Sequence, residues 1–263
     1  MTRRTGADYW NEVIVERRAA RRQTLWRAHA DRLNVDLCRA WWPANRPSRV
    51  LKTDLFEEAS GVGLWPMASG GARLVFGIDQ SVDTIRAASA TYDATRGSAA
   101  DVRHLPFRTG VFDVVISTST LDHFERHDDI VASLAEIARV LAPGGRLILT
   151  LDNAANPIVA LRNVLPFRLM NGIGVVPYFV GATFGPWRGR QALADAGFHV
   201  LDVQAVMHCP RALAVAAASV LDRAPRLAAG SRFLAWLRWF ERAGRWPTRF
   251  LTGYFVAFVA EKP

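Results

Sequence analysis

Residues 112–151 read FDVVISTSTLDHFERHDDIVASLAEIARVLAPGGRLILTL. Val111 to Ser117 and Arg146 to Leu151 are runs of Val, Ile, Leu and Phe without strict alternation, as in strands covered on both faces. Between them, Asp128 to Leu141 carries a helical pattern that ends in Pro143, Gly144 and Gly145 before the second strand. Strand, helix and strand in that order specify a parallel crossover, and therefore a sheet with helices on both faces.

The rhythm continues in both directions. Upstream, Arg49 to Phe56 and Arg73 to Ile78 are short apolar runs, Val82 to Tyr92 is helical, and GSAAD, ending at Asp101, is a short third strand. Downstream, a helix over Arg188 to Ala196, a strand over His199 to Met207, a long helical stretch over Arg211 to Arg242 and a last strand over Gly253 to Ala260 are expected. The fold class is thus α/β: a doubly wound, mostly parallel, seven-stranded Rossmann-like sheet. Ahead of it, Trp10, Ile14, Leu25, Leu33, Leu37 and Trp41 repeat among arginines until Pro43, which reads as one or two helices. Residues 1–47 are expected to form a helical lid on a main domain of residues 48–263. That domain carries a cap insertion over 153–187 and a helical insertion over 210–245.

Half of the 263 residues are hydrophobic and 22% are charged, which suits a chain that buries a core. The net charge of +9 is unevenly spread: residues 1–49 carry +6, residues 50–203 carry −3, and residues 204–263 carry +6. A basic stripe beside the active centre is missing, so nucleic acid is an unexpected partner. Thirty-one arginines against two lysines fit the codon bias of a GC-rich, bacterial genome. Cys38 and Cys209 give neither a disulfide framework nor a zinc spacing, and the basic N-terminus has no apolar run behind it, so a cytoplasmic protein without a structural metal is expected.

In such a sheet, ligands sit at the carboxyl ends of the strands. Those ends carry Lys52 and Asp54, Asp79, Asp101, and the stretch Ser117 to His123. A carboxylate at the end of the second strand can accept hydrogen bonds from both hydroxyls of a ribose, and Asp79 has that position. Gly61, Val62 and Gly63 form only a fragment of GxGxxG and lie well past the first strand, which argues against a nicotinamide cofactor.

The pieces GIDQS, ADVRHLPF, FDVVISTSTLDHF and ARVLAPGGRLILT, in that order, resemble the class I S-adenosylmethionine (SAM)-dependent methyltransferases over roughly residues 48–203 and the last strand. The resemblance implies SAM as cofactor, with Asp79 on the ribose, Gln80 beside the adenine, Asp101 and Val102 at the adenine edge, and Ser117 and Thr118 along the methionine side. The first strand departs from the family. VLKTDLFEEASGVG lacks the usual glycine-rich turn, so the turn must be built differently, with Asp54 facing the cofactor's ammonium.

His123 stands where many relatives reach their substrate. A neutral imidazole there would take a proton from a hydroxyl or amine, and the competing role is a hydrogen-bonding turn residue. Asp122, Asn153 and His29 are further candidates at the rim. The cap supplies Phe167, Leu169, Met170, Tyr178, Phe179, Phe184 and Trp187, a composition suited to a small, largely apolar or lipid-like acceptor. The basic, aromatic stretch SRFLAWLRWFERAGRWPTRF (231–250) is compatible with peripheral contact to an anionic membrane or with packing on the sheet. A small-molecule methyltransferase is the expected function. A non-catalytic SAM-fold scaffold or membrane-associated partner is the alternative.

Overall fold

The structure is a computed structural model that describes residues 6–20, 24–61, 63–92, 96–165, 179–223 and 227–263. Seven strands form one sheet in the order β3-β2-β1-β4-β5-β7-β6. They are β1 (Arg49–Lys52), β2 (Leu74–Asp79), β3 (Arg96–Ala99), β4 (Phe112–Thr118), β5 (Leu141–Asp152), β6 (His199–Val206) and β7 (Phe255–Glu261). β1 to β5 pair in parallel, while β7 runs antiparallel to both β5 and β6. The expected mostly parallel, doubly wound sheet is therefore present, and the reversal comes with the last strand. Because strand order reverses between β1 and β4, their carboxyl ends border a crevice.

The helices follow the apolar spacing closely. α1 (Ala7–Ala20) and α2 (Thr24–Ala40) precede the sheet. α3 (Phe56–Ala59), α4 (Trp65–Gly71) and α5 (Val82–Thr91) flank β2, and α6 (His127–Val140) connects β4 to β5. α7 (Pro157–Val164) and α8 (Pro186–Asp195) follow β5. Between β6 and β7 lie α9 (Arg211–Leu221), α10 (Leu227–Phe240), a 3-10 turn (Glu241–Arg245) and α11 (Arg249–Thr252). The stretch expected as one long helix is thus divided.

Leu51, Val115, Leu147 and Phe258 pack one face of the sheet with Leu134 and Ile137 of α6 and Leu193 of α8. Val50, Val114, Ile148 and Val259 pack the other with Leu55, Trp65, Ala88 and Leu37. A third cluster joins Trp26 of α2, Val159 of α7, Ala214 and Ala218 of α9 and Leu237 of α10 to Tyr254. The N-terminal helices therefore share cores with the sheet: α2 lies against α9 and α10, and α1 against α5.

Candidate active site

Register sets the site. Lys52 pairs with Gly77 on one side and Ile116 on the other, so the chain leaves β1 beside the ends of β2 and β4. A cavity of about 1240 Å³ opens there.

The turn after β1 is built from charge. Lys52 is 2% exposed. Its Nζ donates to the Asp54 carbonyl at 2.8 Å and lies 3.2 Å from Asp54 Oδ2 and 3.0 Å from Glu58 Oε2. Burial alone would lower the ammonium pKa, but the two carboxylates reverse that and hold it above its ordinary range. Burial pushes the Glu58 carboxyl up to about 7, against the opposing pull of Lys52. Glu58 Oε1 also accepts the N–H groups of Leu64 and Trp65 at 2.9 and 3.2 Å. The glycines that allow close approach lie elsewhere: a Cβ on Gly77, in β2, would come within 2.5 Å of the Leu55 side chain. Leu55 plugs the turn onto the sheet, doing by packing what a glycine-rich loop does by backbone freedom.

Asp79 lines the cavity. Its Oδ1 accepts the Ser81 N–H at 2.8 Å and its Oδ2 the Leu55 N–H at 3.0 Å. Each oxygen keeps a second lone pair, so a pair of neighbouring hydroxyls can still be accepted. Burial pushes this carboxyl up to about 6, against the two backbone hydrogen bonds. Gln80 and Val102 also line the cavity, whereas Asp101 is turned onto Arg103. The Asp101 carboxylate accepts from Arg103 Nε and Nη2, at 3.1 and 2.6 Å, and Arg103 reaches on to Asp129 at 2.7 Å.

At the end of β4 the two candidate side chains part. Thr118 faces the cavity, while Ser117 is fully buried with its Oγ 2.9 Å from Thr53 Oγ1. Ser119, with φ +50°, occupies the left-handed region and is held by its N–H to Thr150 O and Oγ1 at 3.1 and 3.0 Å. Met207, at the end of β6, is the other described non-glycine residue with positive φ, and it too lines the cavity. Such backbone costs roughly 1–2 kcal/mol per residue and is retained where neighbours enforce it. Thr120 Oγ1 donates to Asp54 Oδ2 at 3.0 Å, closing the ring from β4 back to β1.

His123 ends a 3-10 turn (Leu121–His123) and lines the cavity. Its Nδ1 lies 2.8 Å from the Phe179 carbonyl oxygen. A carbonyl only accepts, so Nδ1 carries the proton, and in the neutral ring Nε2 carries the lone pair. Trp10 of α1 stands edge-on to the imidazole at 4.8 Å, and Tyr9 Oη accepts the Phe179 N–H at 2.7 Å. The N-terminal helix thus reaches the site. Residues 179–184 form a strap over it: Gly181 N donates to Asp122 O, Ala182 N to Phe124 O, and His127 Nε2 to Thr183 O. Phe167, Leu169, Met170 and Tyr178 of the expected cap lie outside the described residues.

Beside His123, Asp122 is 1% exposed and borders the cavity. Its Oδ2 accepts the Asp152 N–H at 2.9 Å, and its Oδ1 has no hydrogen-bond partner. Burial first, and then the neighbouring Asp152 carboxylate, push Asp122 up to about 6. Arg162 pairs with Asp152 and donates to Tyr254 Oη at 2.8 Å. Two other candidates are structural. Asn153 is buried on the carbonyls of Phe250 and Gly253, at 2.7 and 3.0 Å. His29 is buried against Trp26 and Cys209, and burial lowers it to about 4.

The cavity lining also includes the apolar side chains of Trp26, Leu161, Leu213, Val215, Phe240 and Phe255, together with Arg27, Arg162 and Arg211. Glu58, Arg162 and Tyr254 escaped the sequence reading, and Thr120 entered it only as part of the stretch Ser117 to His123, since each acts through a partner distant in the chain or around a turn. The only available signal for Glu58 was an acidic pair following an apolar strand that already held a lysine.

Residues 59–149 match the family model described as a methyltransferase domain. A mouse (Mus musculus) protein, probable tRNA methyltransferase 9B, is 43% identical over 49 residues, which is 19% of this chain and only 11% of that protein. Among solved structures, a putative methyltransferase of Haloferax volcanii, in complex with the Trm112 methyltransferase activator, superposes with a TM-score of 0.61 at 18% identity, covering 100% of each chain. The 4+2 cyclase SpnF gives a TM-score of 0.58 at 21% identity, over 89% of this chain and 81% of its own. Geranyl diphosphate C-methyltransferase from Streptomyces coelicolor A3(2), solved with Mg2+, geranyl diphosphate and S-adenosyl-L-homocysteine, gives 0.57 at 13% identity, over 87% and 76%. The chain thus carries a match to a methyltransferase domain over residues 59–149 and has the fold of these solved structures.

Proposed function

We propose that the protein methylates a small, largely apolar acceptor held against the apolar side chains of the cavity. One observation carries this reading. A single cavity is lined both by Asp54 and Asp79 at the strand ends and by the apolar groups of Trp26, Leu161, Leu213, Val215, Phe240 and Phe255, with His123 and Asp122 in the same lining. The carboxylates at the strand ends suit a ligand with a ribose diol, an ammonium and a sulfonium. SAM, when bound, supplies an electrophilic methyl group on that sulfonium.

The residues divide the work. Asp79 accepts the ribose hydroxyls, Gln80 and Val102 flank the adenine, Asp54 faces the ammonium, and Thr118 and Thr120 line the methionine side. Ser117 supports Thr53 from beneath, and Asp101 orients the 100–103 turn through Arg103. His123 Nε2 and Asp122 Oδ1 receive the acceptor's O–H or N–H and orient its nucleophile, with His123 taking the proton. The strap at 179–184 and the lid of residues 1–47 exclude water, and the cap over 153–187 and insertion over 210–245 complete the acceptor's walls. Alignment of nucleophile and methyl carbon is the main contribution of the protein.

The test is mass spectrometry of ligands released from the purified protein, followed by methyl transfer assays on apolar hydroxyl, amine and activated-carbon acceptors. Retained S-adenosylhomocysteine together with turnover of an apolar acceptor is expected. Turnover confined to small, highly polar acceptors contradicts the reading. A second reading is favoured by the fold's presence in a 4+2 cyclase: a SAM-fold protein that transfers no methyl. It predicts cofactor retention with no methylated product from any acceptor class.

A further inference from the structure

The cavity is bordered by apolar side chains that are themselves exposed. Ile158 and Leu161 of α7, Leu213 of α9 and Leu251 of α11 all line the cavity, yet are 67%, 62%, 69% and 55% exposed. On α7, Ile158, Leu161 and Val164 recur every three residues and so share one outward stripe, while Val159 and Arg162 turn inward. A soluble protein ordinarily keeps such a stripe against its core.

The surface continues along α10. Leu237 is buried there, while Trp236 and Trp239 are exposed. Both indoles pack edge-on against Phe240, at 4.9 and 5.4 Å, and Phe240 lines the cavity. Exposed indoles and cavity wall are thus in direct contact.

Charge decides the partner. Residues 227–251 contain five arginines, at 232, 238, 242, 245 and 249, and one acidic residue, Glu241. Glu241 is turned inward, accepting the N–H groups of Met207 and His208, each at 3.0 Å. Arg232, Arg238, Arg242 and Arg245 are exposed, and among the described residues none of the four is in a recorded ion pair. The outward field is cationic, and it surrounds tryptophans, which favour the boundary between headgroups and acyl chains. No helix among the described residues is long and apolar enough to cross a membrane, so contact would be by lying on it.

We propose that the face formed by α7, α9, α10 and α11 docks on an anionic lipid bilayer, with the acceptor cavity opening toward the membrane. Trp236, Trp239, Leu213 and Leu251 enter the interface while the arginines meet lipid phosphates. Delivery of the acceptor from the bilayer rests on the reading above that the cavity takes an apolar acceptor; the docking itself does not.

Flotation of the full chain with vesicles of phosphatidylcholine, with and without phosphatidylglycerol, tests the docking. Binding to the anionic vesicles alone, reversed by high salt, is expected. Trp236→Ser with Trp239→Ser should weaken partitioning at least about tenfold. Arg232→Gln and Arg238→Gln should each weaken it about fivefold. S-adenosylhomocysteine affinity, measured in parallel, should be unchanged in every variant, which also reports on folding. Absent vesicle binding, or equal binding to neutral vesicles, overturns the proposal. So does a concentration-dependent dimer that the tryptophan variants dissolve, which would assign the face to a second copy of the chain. Failure of the parent protein to bind S-adenosylhomocysteine would instead sink the methyltransferase reading and leave the vesicle result standing.

Discussion

Asp79 Oδ2 accepts the backbone N–H of Leu55 at 3.0 Å, tying the end of the second strand to the turn after the first. The carboxylate proposed to hold the ribose is therefore also part of the frame that shapes the cofactor turn. Removing its charge should weaken S-adenosylhomocysteine binding by roughly 10- to 150-fold, the equivalent of ~1.5–3 kcal/mol. Because burial raises this carboxyl to about 6, the free protein gains a proton there as pH falls through that value and loses its charged acceptor. Calorimetry between about pH 5 and 8 should show affinity falling toward acid, with Asp79→Asn flattening the slope. A parent profile as flat as the variant's would remove Asp79 from the site.

Lys52 neutralises Glu58, a carboxylate that cannot reach water, and pairs with Asp54 at the cavity edge. Lys52→Met leaves Glu58 buried without its cation beside Asp54, with an expected loss of ~3–5 kcal/mol in urea unfolding. Adding Glu58→Gln should recover part of that loss, since the amide oxygen still accepts from Leu64 and Trp65. A double variant no more stable than Lys52→Met would show that the lysine acts by packing and not by charge.

Gly181 lies so close to the site turn that a Cβ there would stand 2.0 Å from the Phe124 carbonyl oxygen. A backbone oxygen in a hydrogen-bonded turn cannot yield as a side chain would, so Gly181→Ala should lift the strap and cost at least ~1–3 kcal/mol. Gly185→Ala is the control, as its nearest neighbour is 3.5 Å away. Thermal melts of the pair should differ by several degrees, and faster proteolysis near residue 181 should accompany the drop. Equal melting temperatures would mean that the strap is not held as described.

Asp122 has a carboxyl raised to about 6, first by burial and then by Asp152. A folded-state value above the unfolded one means the folded protein binds the proton more tightly. That contribution is fully present below about pH 4 and is lost as pH rises through about 6. Asp122→Asn should therefore gain stability relative to the parent as pH rises across that window, while acceptor turnover falls. A constant stability difference from about pH 4 to 7 would contradict the arrangement.

His123 offers a lone pair at Nε2 because Nδ1 donates to Phe179 O. If it takes the acceptor's proton, His123→Asn should slow single-turnover transfer by ~100- to 10,000-fold, with cofactor affinity retained. A near-full rate leaves positioning alone.

Much of this was legible along the chain. Uninterrupted apolar runs, helical spacers and the PGG stop marked the sheet, because strand and helix patterns follow from which faces a local segment must bury. Asp54, Asp79, Thr118 and His123 were identifiable because their places at strand ends follow from strand boundaries, Gln80 and Val102 were identifiable from the resemblance to the methyltransferases, and all six line the cavity. What a side chain does once it arrives depends on neighbours that the sequence separates. Ser117 and Thr118 are consecutive, yet the pleat buries one and exposes the other. Asp101 meets an arginine two residues on, and Asn153 satisfies carbonyls about a hundred residues away. Glu58 braces the turn after β1 only because the chain folds it back onto Lys52. Composition and periodicity determined the sheet and the places where its strands end; only the tertiary structure decided which polar groups face the cavity, since hydrogen-bond partners and burial are properties of contacts between distant segments.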